Sequence, residues 1–234
     1  MSDTQHEASI ATRTATVAPA FVEHVAQALD ALYGPRVWQS RGRPVDVLVE
    51  TVLSQNTSDV NSARAFRSLL DRFGSLEAVA DAPVEEIEQS IAHAGLSRIK
   101  SARIRRMLQS LREEHGDLDL GFLSSMSVSD ARDYLIAIDG VGPKTASCVL
   151  LFSLGMPAMP VDTHVHRVAR RLGLVGPKVS AEAAHTALET LVPEQQRYAF
   201  HVNLIDHGRR VCHARRPRCE SCGLATLCPS AFSA

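Results

Sequence analysis

The sequence has no excess charge of either sign, no long apolar run and no strand-like alternation. Its 25 Lys and Arg nearly balance 26 Asp and Glu, for a formal net charge of −1. That excludes a polycation that binds nucleic acid through net charge and leaves only local patches to do so. Hydrophobic residues make up 45% of the 234, yet no run approaches the length of a membrane span, so a soluble protein with no membrane partner is expected. The opening "MSDTQHEASIATRTATVAPAF" lacks the charged start and apolar stretch of a secretory signal. A cytoplasmic protein is expected, nucleoid-associated if bacterial, with residues 1–18 as a flexible polar tail. The same absence disfavours disulfides. Cysteine is sparse, five in all, which makes the clustering of four of them informative.

What is present is helical period. "FVEHVAQALDALYG", "PVDVLVETVLSQ", "NSARAFRSLLDRFG", "SLEAVADA", "PVEEIEQSIAHAG" and "RIKSARIRRMLQSLREEHG" carry apolar residues at helical spacing. So do "SVSDARDYLIAI", "PKTASCVLLFSLG", "THVHRVARRLGLV", "SAEAAHTALETLV" and "PEQQRYAFHVNLIDHGRR". Gly and Pro stand at nearly every junction, as helix ends require. Helices joined by short loops predict an all-α fold. The length suffices for one large domain or two modest ones.

Charge is locally concentrated despite the neutral total. Arg98, Lys100, Arg103, Arg105, Arg106 and Arg112 fall in one helical segment, and Arg209, Arg210, Arg215, Arg216 and Arg218 lie near the C-terminus. Either run alone reads as a solvated helix face. Two of them beside glycine loops point toward phosphate contact.

Cys212, Cys219, Cys222 and Cys228 form C-x6-C-x2-C-x5-C, while Cys148 stands apart in an apolar helix and reads as core. Four thiolates at such spacing suit a metal centre. Zinc is one reading, but the wide first gap is looser than the close pairs of zinc ribbons, which favours an iron–sulfur cluster.

The stretch "IDGVGPKTASCVLLFSLGMPAMPVDTHVHR", residues 138–167, raises two questions. Lys144 opens an apolar helix, where an exposed charge, a salt bridge or a nucleophile would each be compatible. Asp162 precedes the next helix, where it reads equally as an N-cap.

With "LSQNTSD", "AGL", "GVGPKTA", "VDTHV", "HGR" and "RPRCESC" in this order, the chain resembles the endonuclease III family of DNA glycosylase/AP lyases from about Pro44 to Cys228. The family combines a helix-hairpin-helix, a Gly/Pro-rich loop, a catalytic Asp and a C-terminal [4Fe–4S] cluster. The resemblance implies two helical domains with a DNA cleft between them: residues 38–156 with the hairpin, and residues 19–37 joined to 157–234 with the cluster. It implies a bifunctional enzyme of base excision repair. Such an enzyme removes oxidised pyrimidines from double-stranded DNA, cuts 3′ to the abasic site through a lysine Schiff base, and works as a monomer.

Residue by residue, the resemblance makes Lys144 the nucleophile and Asp162 its catalytic partner, with Cys212, Cys219, Cys222 and Cys228 as cluster ligands. Gly140, Gly142 and Thr145 belong to the phosphate-gripping hairpin, whose glycines permit tight backbone and whose amides face an anion. Leu96 matches an apolar wedge, which otherwise reads as a helix-end leucine, and Gln55 and Asn56 occupy a second gap-filling loop. His164 matches a position contacting the opposite strand, and Arg215 lies in the basic loop between cluster cysteines. Asn56 departs from the Gln usual in relatives. Asp139 departs from the usual Pro and places a carboxylate beside the hairpin.

Two other readings remain. Glu50 stands near the acid of the adenine-mismatch group, but that group generally lacks the hairpin lysine and adds a C-terminal domain, whereas only residues 229–234 follow Cys228 here. A non-catalytic DNA-binding module would not need both Lys144 and Asp162.

Overall fold

The computed structural model describes residues 17–233, so most of the tail expected over residues 1–18 lies outside the described residues. Eleven α-helices and no strand occur among those residues, in agreement with the all-α expectation. The first three are α1 (Pro19–Tyr33), α2 (Pro44–Ser54) and α3 (Asp59–Phe73). They are followed by α4 (Leu76–Asp81), α5 (Val84–Ser90), α6 (Ser97–His115) and α7 (Val128–Ala137). The last are α8 (Pro143–Phe152), α9 (Thr163–Arg171), α10 (Ala181–Leu191) and α11 (Arg197–Arg210). Several starts follow from local chemistry. Pro stands in the first turn of α1, α2 and α8, where its missing N–H costs nothing. Ser58, Ser75, Ser127 and Ser180 cap α3, α4, α7 and α10 through their hydroxyls. Among the described residues no helix is long and apolar enough to cross a membrane.

The apolar interior falls into two clusters. One runs from Val45 to Ala158, and the other gathers Val22, Val25, Ala26 and Leu29 with residues from Met159 to Leu224. α2 packs on α3 and α8, α6 on α4 and α5, and α11 on α1 and α9. α8 is buried all round from Thr145 to Phe152, which is why its sequence is apolar without a polar face. α1 and the segment that follows it are tied to α11 by polar contacts. Buried Asn203 donates to Asp30 Oδ1 at 2.9 Å and accepts from Arg36 Nε at 2.9 Å, and Arg36 pairs with Asp206 at 2.6 Å.

The basic run of α6, read from the sequence together with the C-terminal run as pointing toward phosphate contact, is only partly exposed. Lys100 is only 2% exposed, on the same stripe as Ile104, Met107, Leu108 and Leu111. Arg112 is paired with Asp81 at 2.6 Å. Arg98 and Arg106 remain exposed, and Arg103 and Arg105 are half-buried.

Candidate active site

The hairpin joins α7 to α8. Val141 N–H donates to Ile138 O at 3.0 Å, closing a tight turn, and Gly140 takes φ +82°. A Cβ at Gly140 would lie 2.3 Å from Arg103 Cδ, so α6 covers this glycine closely. Gly142 differs from the expectation. Its φ is −99°, and nothing stands within 4 Å of where its Cβ would be, so only a ligand outside the chain would require glycine there. Gly142 caps α8, and the first intrahelical bond is Ala146 N–H to Gly142 O at 3.0 Å. The amides of Lys144 and Thr145 precede that bond and have no helical acceptor. The Thr145 side chain is buried, so this residue offers an anion its backbone N–H alone.

Asp162 ends the segment leading to α9, and its Oδ1 accepts from Val165 N–H at 2.7 Å. The capping role read from sequence is therefore real. The same residue faces a cavity of about 420 Å³ together with Lys144, Cys148, Glu50, His201 and Arg209. Lys144 and Asp162 are thus brought to one cavity, and no ion pair joins them among the described residues. Glu50 stands in the same cavity.

The segment carrying Asp162 is held from α10 and α11. Arg197 donates to Pro157 O, Glu189 accepts Met159 N–H at 2.8 Å, His185 bonds Met159 O at 2.9 Å and His201 bonds Pro160 O at 2.9 Å. A carbonyl only accepts, so both imidazoles carry their proton on Nδ1. Nothing in the sequence marks these four side chains, because single His, Glu and Arg residues on amphipathic helices carry no local signal of what they reach.

Burial pushes His201 down to about 4, against the opposing charge of Asp162. Burial lowers His185 as well. The unfolded chain binds these protons near pH 6.5, while folded His201 binds its own only near 4. Stability is therefore complete above pH 6.5 and is lost as pH falls toward 4, by on the order of 2–3 kcal/mol for His201. Urea midpoints measured between pH 7 and pH 4.5 should fall accordingly, and His201→Gln should flatten that slope.

The two other candidate loops lie beside the hairpin. Arg103, over Gly140, donates to Gln55 Oε1 at 3.1 Å. Asn56 has φ +54° and Leu96 φ +51°, and Leu96 is 54% exposed. Asn is among the few non-glycine residues that tolerate left-handed backbone, so Asn56 suits the conformation it takes. Asp139 is exposed and pairs with Arg106 at 3.3 Å, so its charge is partly neutralised beside the hairpin. His164 Nδ1 accepts from Arg167 Nη2 at 3.0 Å, and the same guanidinium donates to Gly208 O and Cys212 O. Arg215 is exposed in the loop between Cys212 and Cys219.

Cys212, Cys219, Cys222 and Cys228 line one small cavity with Arg171, His207 and Leu224. All are free thiols. Burial raises the thiols of Cys222 and Cys228, and the other cysteines' charges raise them further. The four thiols thus share one small, largely apolar enclosure, although among the described residues no group of three or more His, Cys, Asp or Glu side chains is arranged to hold a metal ion. Arg171 Nη1 reaches Cys212 Sγ at 3.2 Å and donates to His213 O at 2.7 Å, fixing this loop to α9.

The sequence profile of the HhH-GPD superfamily base excision DNA repair proteins matches residues 49–194. Endonuclease III of Thermotoga maritima is 35% identical over 185 residues, which are 79% of this chain and 82% of that protein. Two solved structures, a non-covalent endonuclease III–DNA complex and a trapped endonuclease III–DNA covalent intermediate, each superpose with a TM-score of 0.78 at 27% identity. Each superposition covers 93% of this chain and 98% of that one. By profile, identity and fold, the chain belongs to the HhH-GPD superfamily of base excision DNA repair proteins and, within it, to the endonuclease III family of DNA glycosylase/AP lyases.

Proposed function

We propose that this chain excises oxidised pyrimidines from duplex DNA and cuts the strand 3′ to the abasic site through an imine on Lys144. The observation that carries this reading is the opening of Lys144 and Asp162 onto one cavity beside the free amides of the hairpin. The hairpin amides and the N-terminus of α8 hold a backbone phosphate. The lesion leaves the stack and enters the cavity. The Lys144 amine, after giving up its ammonium proton, attacks the sugar C1′; the C1′–N bond breaks, the base leaves with the bonding electrons and takes up a proton, and the attacking nitrogen loses one in exchange. Asp162 stabilises the positive charge that develops on the sugar, as a carboxylate does in glycoside cleavage. Opening of the sugar gives the imine, and loss of a C2′ proton expels the 3′ phosphate. That a related endonuclease III has been trapped covalently on DNA supports this route.

The division of the apolar interior near residue 158 supports two domains, residues 38–156 and residues 19–37 with 157–234, with the DNA cleft between them. The enzyme works as a monomer. The four C-terminal cysteines hold a [4Fe–4S] cluster that supplies the local core in place of apolar side chains. Purified protein should be yellow-brown and contain about four iron atoms per chain. Elemental analysis returning about one zinc and no iron would contradict the assignment.

Glu50 in the same cavity favours a second reading, in which a carboxyl group protonates a purine leaving group, as in adenine-mismatch repair. Incubation with a panel of duplexes, each carrying one lesion, separates the two. Incision at oxidised pyrimidines supports the first reading, and adenine release from mismatches without incision supports the second.

A further inference from the structure

We propose that Lys100 is a positioning residue that locks together the two loops used to fill the gap left by an extruded base. The inference rests on reading Leu96 and Asn56 as gap-fillers. Lys100 is 2% exposed, and its Nζ lies 2.7 Å from Leu53 O and 2.7 Å from Ala94 O. Leu53 is in the last turn of α2, two residues before Gln55 and three before Asn56. Ala94 closes the 3₁₀ turn Ala92–Ala94, immediately before Gly95 and Leu96. One ammonium therefore bridges carbonyl groups at the ends of two elements, where the partial charge is negative and helical partners are missing. Thr57 adds a second tie, because its hydroxyl donates to the same Ala94 O.

The loops beyond this clamp are strained. Among the described residues only four non-glycine residues have positive φ, and Asn56 and Leu96 are two of them. Side chains in left-handed backbone persist only where the surroundings over-determine them. Lys100 and Thr57 are the side chains seen to tie the two strained tips together. Burial lowers the pKa of Lys100, as befits a group whose solvation is replaced by two carbonyls. No other role for this lysine is visible, since its amine is turned inward and occupied.

The clamp acts on base extrusion and not on the chemistry, which makes it separable. The test uses a duplex with one oxidised pyrimidine opposite adenine and a fluorescent base analogue beside it, and a second duplex with a preformed abasic site. Lys100→Met keeps the apolar stem and removes the donors, and Thr57→Val removes only the second tie. Both variants should lose most of the fluorescence rise on binding and slow excision roughly tenfold or more, with Lys100→Met the more severe. Strand cleavage at the preformed abasic site, where no base has to be extruded, should change by less than about threefold. Lys100→Arg should recover part of the loss. Excision and abasic-site cleavage falling by the same factor would overturn the proposal, as would extrusion equal to wild type in both variants. If Lys100→Met does not fold, Thr57→Val decides by the same ratio. Leu96→Ala, run in parallel, tests the gap-filling premise itself, because extrusion equal to wild type there removes the purpose of the clamp.

Discussion

Lys144→Gln should abolish covalent trapping of the protein on damaged DNA by borohydride, and should lower incision on the order of 10³-fold or more. Borohydride reduces only the C=N bond of an imine, and glutamine has no amine with which to form one. The substitution is structurally mild, because Lys144 is the second residue of α8, half-buried at the cavity mouth, and glutamine is a good helix former. The chain contains three lysines, Lys100, Lys144 and Lys178. The Lys100 amine is buried and bonded to two carbonyls, and Lys178 is not among the residues lining the cavity. Loss of trapping therefore has few alternative explanations.

Asp162→Asn should slow single-turnover excision by roughly 10²–10⁴-fold while leaving DNA affinity and folding stability nearly unchanged. The structure makes this variant unusually clean. Asp162 both caps α9 through Oδ1 and faces the cavity, and the two roles need different chemistry. Asparagine caps as well as aspartate does, so the bond to Val165 N–H is kept and only the negative charge is lost. Asp162→Ala would remove both and add about 1 kcal/mol of destabilisation. If Asp162→Asn retained wild-type excision, the carboxylate would be a cap and nothing more.

The parts of the candidate site that the sequence made legible are those whose chemistry is local. Gly140, Pro143 and Lys144 lie within one turn, and the structure puts them at a tight bend and a helix start. The four cysteines lie within one short tail and share one cavity. The Asp162 cap was visible from the helix that follows it. What escaped was long-range. His185, Glu189, Arg197 and His201 hold the segment that carries Asp162 from two helices further along the chain, and no spacing rule joins them to it. Lys100 is a different case, because the signal was present and misread. It stands four residues before Ile104 on the apolar stripe of α6, where period outweighs the basic company it keeps. Thr145 and Gly142 were assigned to phosphate binding as a set, and the structure separates them by burying the one side chain and leaving the other position open.

The central claim is that the Lys144 amine bonds to the sugar of the lesion. The direct measurement is peptide mapping by mass spectrometry of wild-type protein trapped with borohydride on a duplex carrying a single oxidised pyrimidine. The account predicts one modified peptide, bearing a reduced sugar remnant on Lys144. A remnant on Lys178 or on the N-terminal amine, with the Lys144 peptide unmodified, would contradict it.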